Sequence, residues 1–195
     1  MEWPIAARQL LVFIHLLAFA VALSDVLRED WQVLVSRHLD GKRLAATARR
    51  VSWTLALLWV TGITLVGMEV GSDLSLLAGK PKLVMKLIVV SVLTVNGGLL
   101  HALALPALSG RRTASRSALA LAPVLGAVST VSWLFASFTG AARVVAPYLR
   151  LPQYLGLYFA ALAAGVAVGW FWVRPRLAGA APAKACLGRA ASGAA

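Results

Sequence analysis

The chain is poor in cysteine and in negative charge. Cys186 is the single cysteine of 195 residues, which excludes an internal disulfide and a thiolate metal cluster; its simplest role is a solvated thiol. Asp and Glu number 7 against 19 Lys and Arg, and charged residues make up only 13% of the chain. A water-soluble domain of this length needs far more polar surface. There is no Gly-x-x-x-x-Gly-Lys segment for a nucleotide and no Cys or His cluster for structural zinc. No internal repeat and no second domain stand out. Paired carboxylates are missing from the apolar runs, which argues against a proton-coupled transporter.

What the chain has instead is apolar length. It is 60% hydrophobic, with a mean hydropathy of +0.81. Five runs stand out, at 9–27, 51–69, 83–107, 117–139 and 154–173. Each is close to the ~20 residues that a helix needs to cross the hydrocarbon core. The first, with its "AVA", also has a signal-peptide look, but it is long enough to span and is read as a helix. The expectation is an all-α integral membrane protein with five transmembrane helices, an antiparallel four-helix bundle plus one helix. Residues 1–177 form one transmembrane domain. The tail 178–195, "AGAAPAKACLGRAASGAA", lacks large apolar groups and is expected to be flexible.

Lys and Arg placement orients the bundle. Loop 28–50, loop 108–116 and the residues after 173 together hold thirteen; the opposite side holds Arg8, Lys80, Lys82, Arg143 and Arg150. This predicts an outside N-terminus and a cytoplasmic C-terminus in a bacterial-type inner membrane. The net charge of +12 is then a topology and lipid-headgroup signal, and nucleic acid is not expected as a partner. Trp170 and Trp172 are expected at the inner interface, and Trp3, Tyr148 and Tyr154 near the outer one. Trp31, Leu34 and Val35 give the first loop an apolar stripe, so it either extends the first helix or lies along the interface. His38 reads as a solvated residue within it.

Ionisable groups at membrane depth are costly, about 2.5–3.5 kcal/mol each near the centre, and mark functional sites by default. Four qualify: His15 and Asp25 in the first span, Lys86 and His101 in the third. At about 1.5 Å per residue, His15 lies about 9 Å and Lys86 about 5 Å below the outer surface. Asp25 and His101 lie near the inner end. His15 and His101 are therefore about 18 Å apart along the membrane normal, too far to share one haem. At 100° per residue, Lys86, Val90, Leu93, Gly97 and His101 fall on one face, with Asn96 at its margin. Gly97 and Gly98 remove bulk there, allowing close approach by a helix or a flat ligand. The first and third helices are expected to be adjacent, with His15 beside Lys86 and Asp25 as the charged neighbour of His101. Plainer readings stand beside these: Lys86 snorkelling to the outer interface, His101 as packing glue, Asp25 as a juxtamembrane residue. In the fourth span Ser129, Ser132, Trp133 and Ser137 share a face that reads as hydroxyl-mediated packing. In the fifth, Ala161, Gly165 and Gly169 form a small-residue seam for close helix contact, within the bundle or in a homo-oligomer.

The order of "FIHLLAFAVAL", "VTGITLV" and "KPKLVMKLIVVSVLTVNGGLLHALALP" resembles the group of small membrane proteins that includes HemJ-type protoporphyrinogen oxidases and CopD-type copper-resistance proteins. The resemblance covers roughly residues 8–140. It implies a characteristic first-span histidine and third-span lysine, matched here by His15 and Lys86, and binding of a b-type haem. The fourth span has "SALALAPVLGAV" in place of an Asn-Glu-x-Pro type motif, and a fifth span is added. Met68 and Met85 are too few and too scattered for a copper path. The leading expectation is a haem-binding or porphyrin-handling protein. His15 is the metal ligand, Lys86 a propionate partner, second ligand or catalytic group, and His101 and Asn96 further candidates on the cofactor face. The alternatives are a small transporter or metal-handling permease along the Lys86–His101 face, and a non-catalytic partner subunit.

Overall fold

The computed structural model describes residues 3–36, 41–71, 73–104, 116–142, 144–145, 148–173 and 175. His38, Cys186, residues 108–115 and the tail 178–195 lie outside these. Five helices make the fold: α1 (Trp3–Ser36), α2 (Gly41–Val70), α3 (Pro81–Leu99), α4 (Arg116–Ala141) and α5 (Leu151–Val168). Each contains a stretch long and apolar enough to cross a membrane, and no strand occurs among the described residues.

The first two runs are longer than expected. The apolar spans extend over Ile5–Gln32 and Lys42–Val70, so most of the sequence between them is helix rather than loop. Charge pairing explains the extension. Arg50 reaches Asp25 at 3.1 Å and Arg43 reaches Glu29 at 3.4 Å, while Thr47 donates to Glu29 at 2.9 Å. Polar residues that would leave a helix alone in water are thus matched across α1 and α2. Glu29 and Asp30 thus join Asp25 within the first long apolar helix stretch, Ile5–Gln32. At about 1.5 Å per residue, the 34 residues of α1 run about 51 Å, well beyond a ~30 Å hydrocarbon core. Trp31 and Val35 of its predicted stripe are exposed.

At the other end of the hairpin, Gly71 terminates α2 in the left-handed region (φ 60°). Its N–H returns to Gly67 O at 2.8 Å, an arrangement glycine adopts without a Cβ clash. Asp73 then caps a short 3-10 turn, Leu74–Leu77, accepting from Ser75 N at 3.0 Å and Ser75 Oγ at 2.6 Å. These two donors hold the Asp73 carboxyl below its ordinary range. Pro81 opens α3, where its missing N–H costs no hydrogen bond. The Arg150 N–H donates to Gln153 Oε1 at 2.7 Å at the start of α5.

Helix α5 is not appended to a four-helix bundle; it is part of the core. Tyr154 and Tyr158 are buried with Met85, Val89, Trp133 and Phe135. Tyr154 is 0% exposed, packed inside the bundle, whereas Tyr148, Trp170 and Trp172 are exposed. Ser132 Oγ donates to Val128 O at 2.6 Å, so the Tyr158 hydroxyl, 2.7 Å away, donates to it. The glycine seam explains how α5 comes so close. A Cβ on Gly169 would lie 2.9 Å from Pro123 O, and one on Gly165 would clash with Val131 Cγ2. The seam is therefore filled by α4 of the same chain.

Helices α1 and α3 share none of the extended packing seams, contrary to the expected adjacency. The main seams join α1 with α2, α3 with α4, and α4 with α5, while α1 also leans on α4. The space between α1 and α3 is instead a cavity.

Candidate functional site

That cavity measures about 850 Å³ and is walled by α1, α2, α3 and α4. Its body is apolar, with Phe19, Leu58, Ile63, Leu93 and Trp133 on the walls. One end is rimmed by Arg8, Lys80, Lys82 and Lys86, with Glu69 as the carboxylate among them. Glu69 pairs with Arg8 at 3.2 Å and with Lys80 at 2.7 Å. Lys82 Nζ donates to Ala142 O at 3.4 Å. Four cations against one carboxylate leave the rim positive.

His15 and Lys86 both line this cavity. The ring is anchored from behind. His15 Nδ1 lies 2.7 Å from Thr61 Oγ1, and the buried Thr61 hydroxyl donates its only proton to Leu57 O at 2.7 Å. Thr61 Oγ1 must then accept, so the imidazole carries its proton on Nδ1. Nε2 is left with a lone pair. This is how metal-binding histidines are prepared, with the other ring nitrogen donating to an oxygen that fixes tautomer and orientation. Gly62 follows immediately. A Cβ there would lie 3.5 Å from His15 Cε1, so little beyond a methyl group fits beside the ring. Reading the sequence alone placed "VTGITLV" in a motif but gave Thr61 no role. A threonine in an apolar helix ordinarily bonds its own preceding turn, and only the α1–α2 contact shows that its oxygen has a second task.

The remaining candidates separate from this pair. Asn96 lines neither the His15 cavity nor the one that His101 borders. Its buried Nδ2 donates to Leu125 O at 3.0 Å, joining α3 to α4. His101 sits on the π-helical turn Leu100–Ala104 that continues α3. Its Nδ1 donates to Gly97 O at 2.8 Å, and its Nε2 lies 3.5 Å from Ser52 Oγ. The expected Asp25–His101 pairing is replaced by Asp25–Arg50, because Asp25 faces the first turns of α2. His101 lines a second cavity of about 520 Å³ at the opposite end of the bundle, with Glu29, Asp30 and Thr130. A Cβ on Gly97 or Gly98 would meet nothing within 4 Å, so the glycine gap is not filled by another helix. Leu55, Leu93 and Trp133 border both cavities and form the partition between them. Trp133 is held there against Phe19, with ring centroids 5.4 Å apart.

Among the described residues, no group of three or more His, Cys, Asp or Glu side chains is assembled to hold a metal ion. A metal at His15 must therefore bring most of its own ligands, as a macrocycle does. The cavity fits such a group in three respects. Its volume lies within the ~300–1,000 Å³ of small-molecule and cofactor sites; its apolar body matches a flat ring; its cationic rim matches carboxylates. Ser137 adds an unused polar group. Its Oγ is buried without a hydrogen-bond partner among the described residues, and the residue lines the cavity. No protein-family model, curated protein or solved structure matches the chain, so the site is read from its own geometry.

Proposed function

We propose that this protein binds a b-type haem or related porphyrin in the α1–α4 cavity of a multi-pass inner-membrane bundle whose N-terminus lies outside. One observation carries the reading: the imidazole of His15, its proton held on Nδ1 by Thr61, leaves Nε2 as a donor atom beside an apolar cavity with a positive rim. Imidazole suits iron, and a bundle interior is where such cofactors are held. In this reading His15 would hold the iron, and Lys86, with Lys82 and Arg8, would pair with propionates. Trp133, Phe19 and Leu58 exclude water from the ring. A bound haem would supply one-electron chemistry, and the protein's part is to hold, orient and shield it. The test is spectroscopic. Full-length protein made with ample haem should purify red with a Soret band, and His15→Ala should purify colourless from the membrane fraction. A colourless wild-type protein ends this reading.

A permease is the second reading, favoured by the two cavities lying in line. The sequence-defined face of α3 serves both: Lys86, Val90 and Leu93 line the first, and Leu93, Gly97 and His101 the second. Flux measurements on haem-free proteoliposomes separate the two readings.

A further inference from the structure

The second cavity carries the charge opposite to the first. It lies between the C-terminal part of α1, the start of α2, the end of α3 and the facing stretches of α4 and α5. Leu44, Val51, Leu100, Val131 and Val168 give it apolar walls. Two carboxylates face it, and they are not equivalent. Glu29 has Arg43 at 3.4 Å and Thr47 at 2.9 Å. Asp30 has a neutral donor, the Thr130 hydroxyl, and no Lys or Arg within ion-pair distance among the described residues. A carboxylate offers about four lone-pair sites, and Thr130 engages one. A half-buried carboxylate in apolar surroundings without a cation is under-compensated, and a positive group brought to it gains more than it would in water.

We infer that this cavity binds an amphipathic organic cation, an amine or onium group on an apolar body, with Asp30 as its counter-ion. The walls decide the class. An inorganic cation needs several oxygen or nitrogen ligands, and the described residues assemble no such set. An anion meets Glu29 and Asp30. A neutral apolar molecule leaves the Asp30 charge as it was. A cation with its own apolar surface satisfies the walls and the carboxylate together, and about 520 Å³ accommodates a small-molecule body. The site shares only the Leu55–Leu93–Trp133 partition with the haem cavity, so it stands whether or not haem binds.

The experiment uses the full chain in nanodiscs of zwitterionic lipid, with radiolabelled tetraphenylphosphonium as probe and empty nanodiscs as the partition control. Tetraphenylborate, of the same shape and opposite charge, is the competitor. Wild-type protein should bind the phosphonium saturably and tetraphenylborate should not displace it. Asp30→Asn should weaken binding at least about tenfold, the loss of one charge-assisted contact. Gly126→Leu keeps the carboxylate but fills the cavity, because a Cβ at Gly126 meets nothing within 4 Å, and it should weaken binding similarly. His15→Ala should leave phosphonium binding unchanged. Absence of saturable binding by the wild type, or wild-type affinity in either folded variant, overturns the proposal.

Discussion

His15 and Thr61 are joined at 2.7 Å between α1 and α2, and the bond has one direction because Thr61 spends its proton on Leu57 O. Thr61→Val is isosteric but removes the acceptor. The imidazole then loses its tautomer and orientation. Haem affinity is expected to fall about 10–100-fold, as for other partners behind a metal-bound histidine. Haem titration followed at the Soret band checks this. Gly62→Leu should act on the same ring by crowding it and should also lower haem content. Unchanged titrations in both variants would detach His15 from the ligand.

Lys86 should be read through charge rather than fold. Lys86→Met removes one of four rim cations. It is expected to weaken haem binding several-fold while leaving binding of the haem dimethyl ester unchanged. A lysine that only snorkels into headgroups predicts no difference between the two ligands, and side-by-side titrations tell the cases apart.

The glycine seam yields a stability prediction. A methyl group at Gly169 meets the rigid carbonyl of Pro123 at 2.9 Å. Gly169→Ala should cost about 1–3 kcal/mol through overpacking, seen as a lower unfolding temperature in detergent. Gly165→Ala presses on Val131, whose β-branched side chain has little freedom to turn aside, and should also destabilise. Gly126→Ala, which meets nothing within 4 Å, is the neutral control.

Orientation is checked by reporter fusions. Thirteen Lys and Arg against five predict a cytoplasmic α1–α2 connection and C-terminus. Fusions after residue 40, just before α2 begins, and after residue 190 should both report cytoplasm. A periplasmic signal at either excludes an outside N-terminus with five spans.

The Asp73 cap should show a pH dependence of definite sign. Its carboxyl is held below the ordinary 3.8 by the Ser75 donors. A depressed folded-state pKa means that the carboxylate's contribution is complete above the unfolded value and is lost as pH falls through the folded one. Amide-exchange protection of the Leu74–Leu77 turn should hold from neutral pH down to about pH 4 and fall below it. In Asp73→Asn that step should vanish.

Much of this protein is legible in the sequence. Hydropathy alone set five helices, because a segment that must bury its backbone polar groups without water has few other choices. Helical geometry set the face of α3 shared by Lys86, Leu93 and His101, because 100° per residue fixes angular position before any packing occurs. It also predicted His15 and Lys86 near one level, since rise per residue fixes position along a helix, and both line one cavity.

Tertiary structure decided what those residues meet. Asp25 was paired by proximity to Arg50, not to His101. Tyr154 was buried because α5 slides over Gly165 and Gly169. Thr61 became the acceptor that sets the His15 tautomer, and Asp30 was carried to the wall of a second cavity on the stretch where α1 continues past the first apolar run. Each of these outcomes depends on which helix lies opposite. That choice is made by packing many small contacts at once, whereas the hydropathy and angular position of a residue belong to its own helix and can be read one segment at a time.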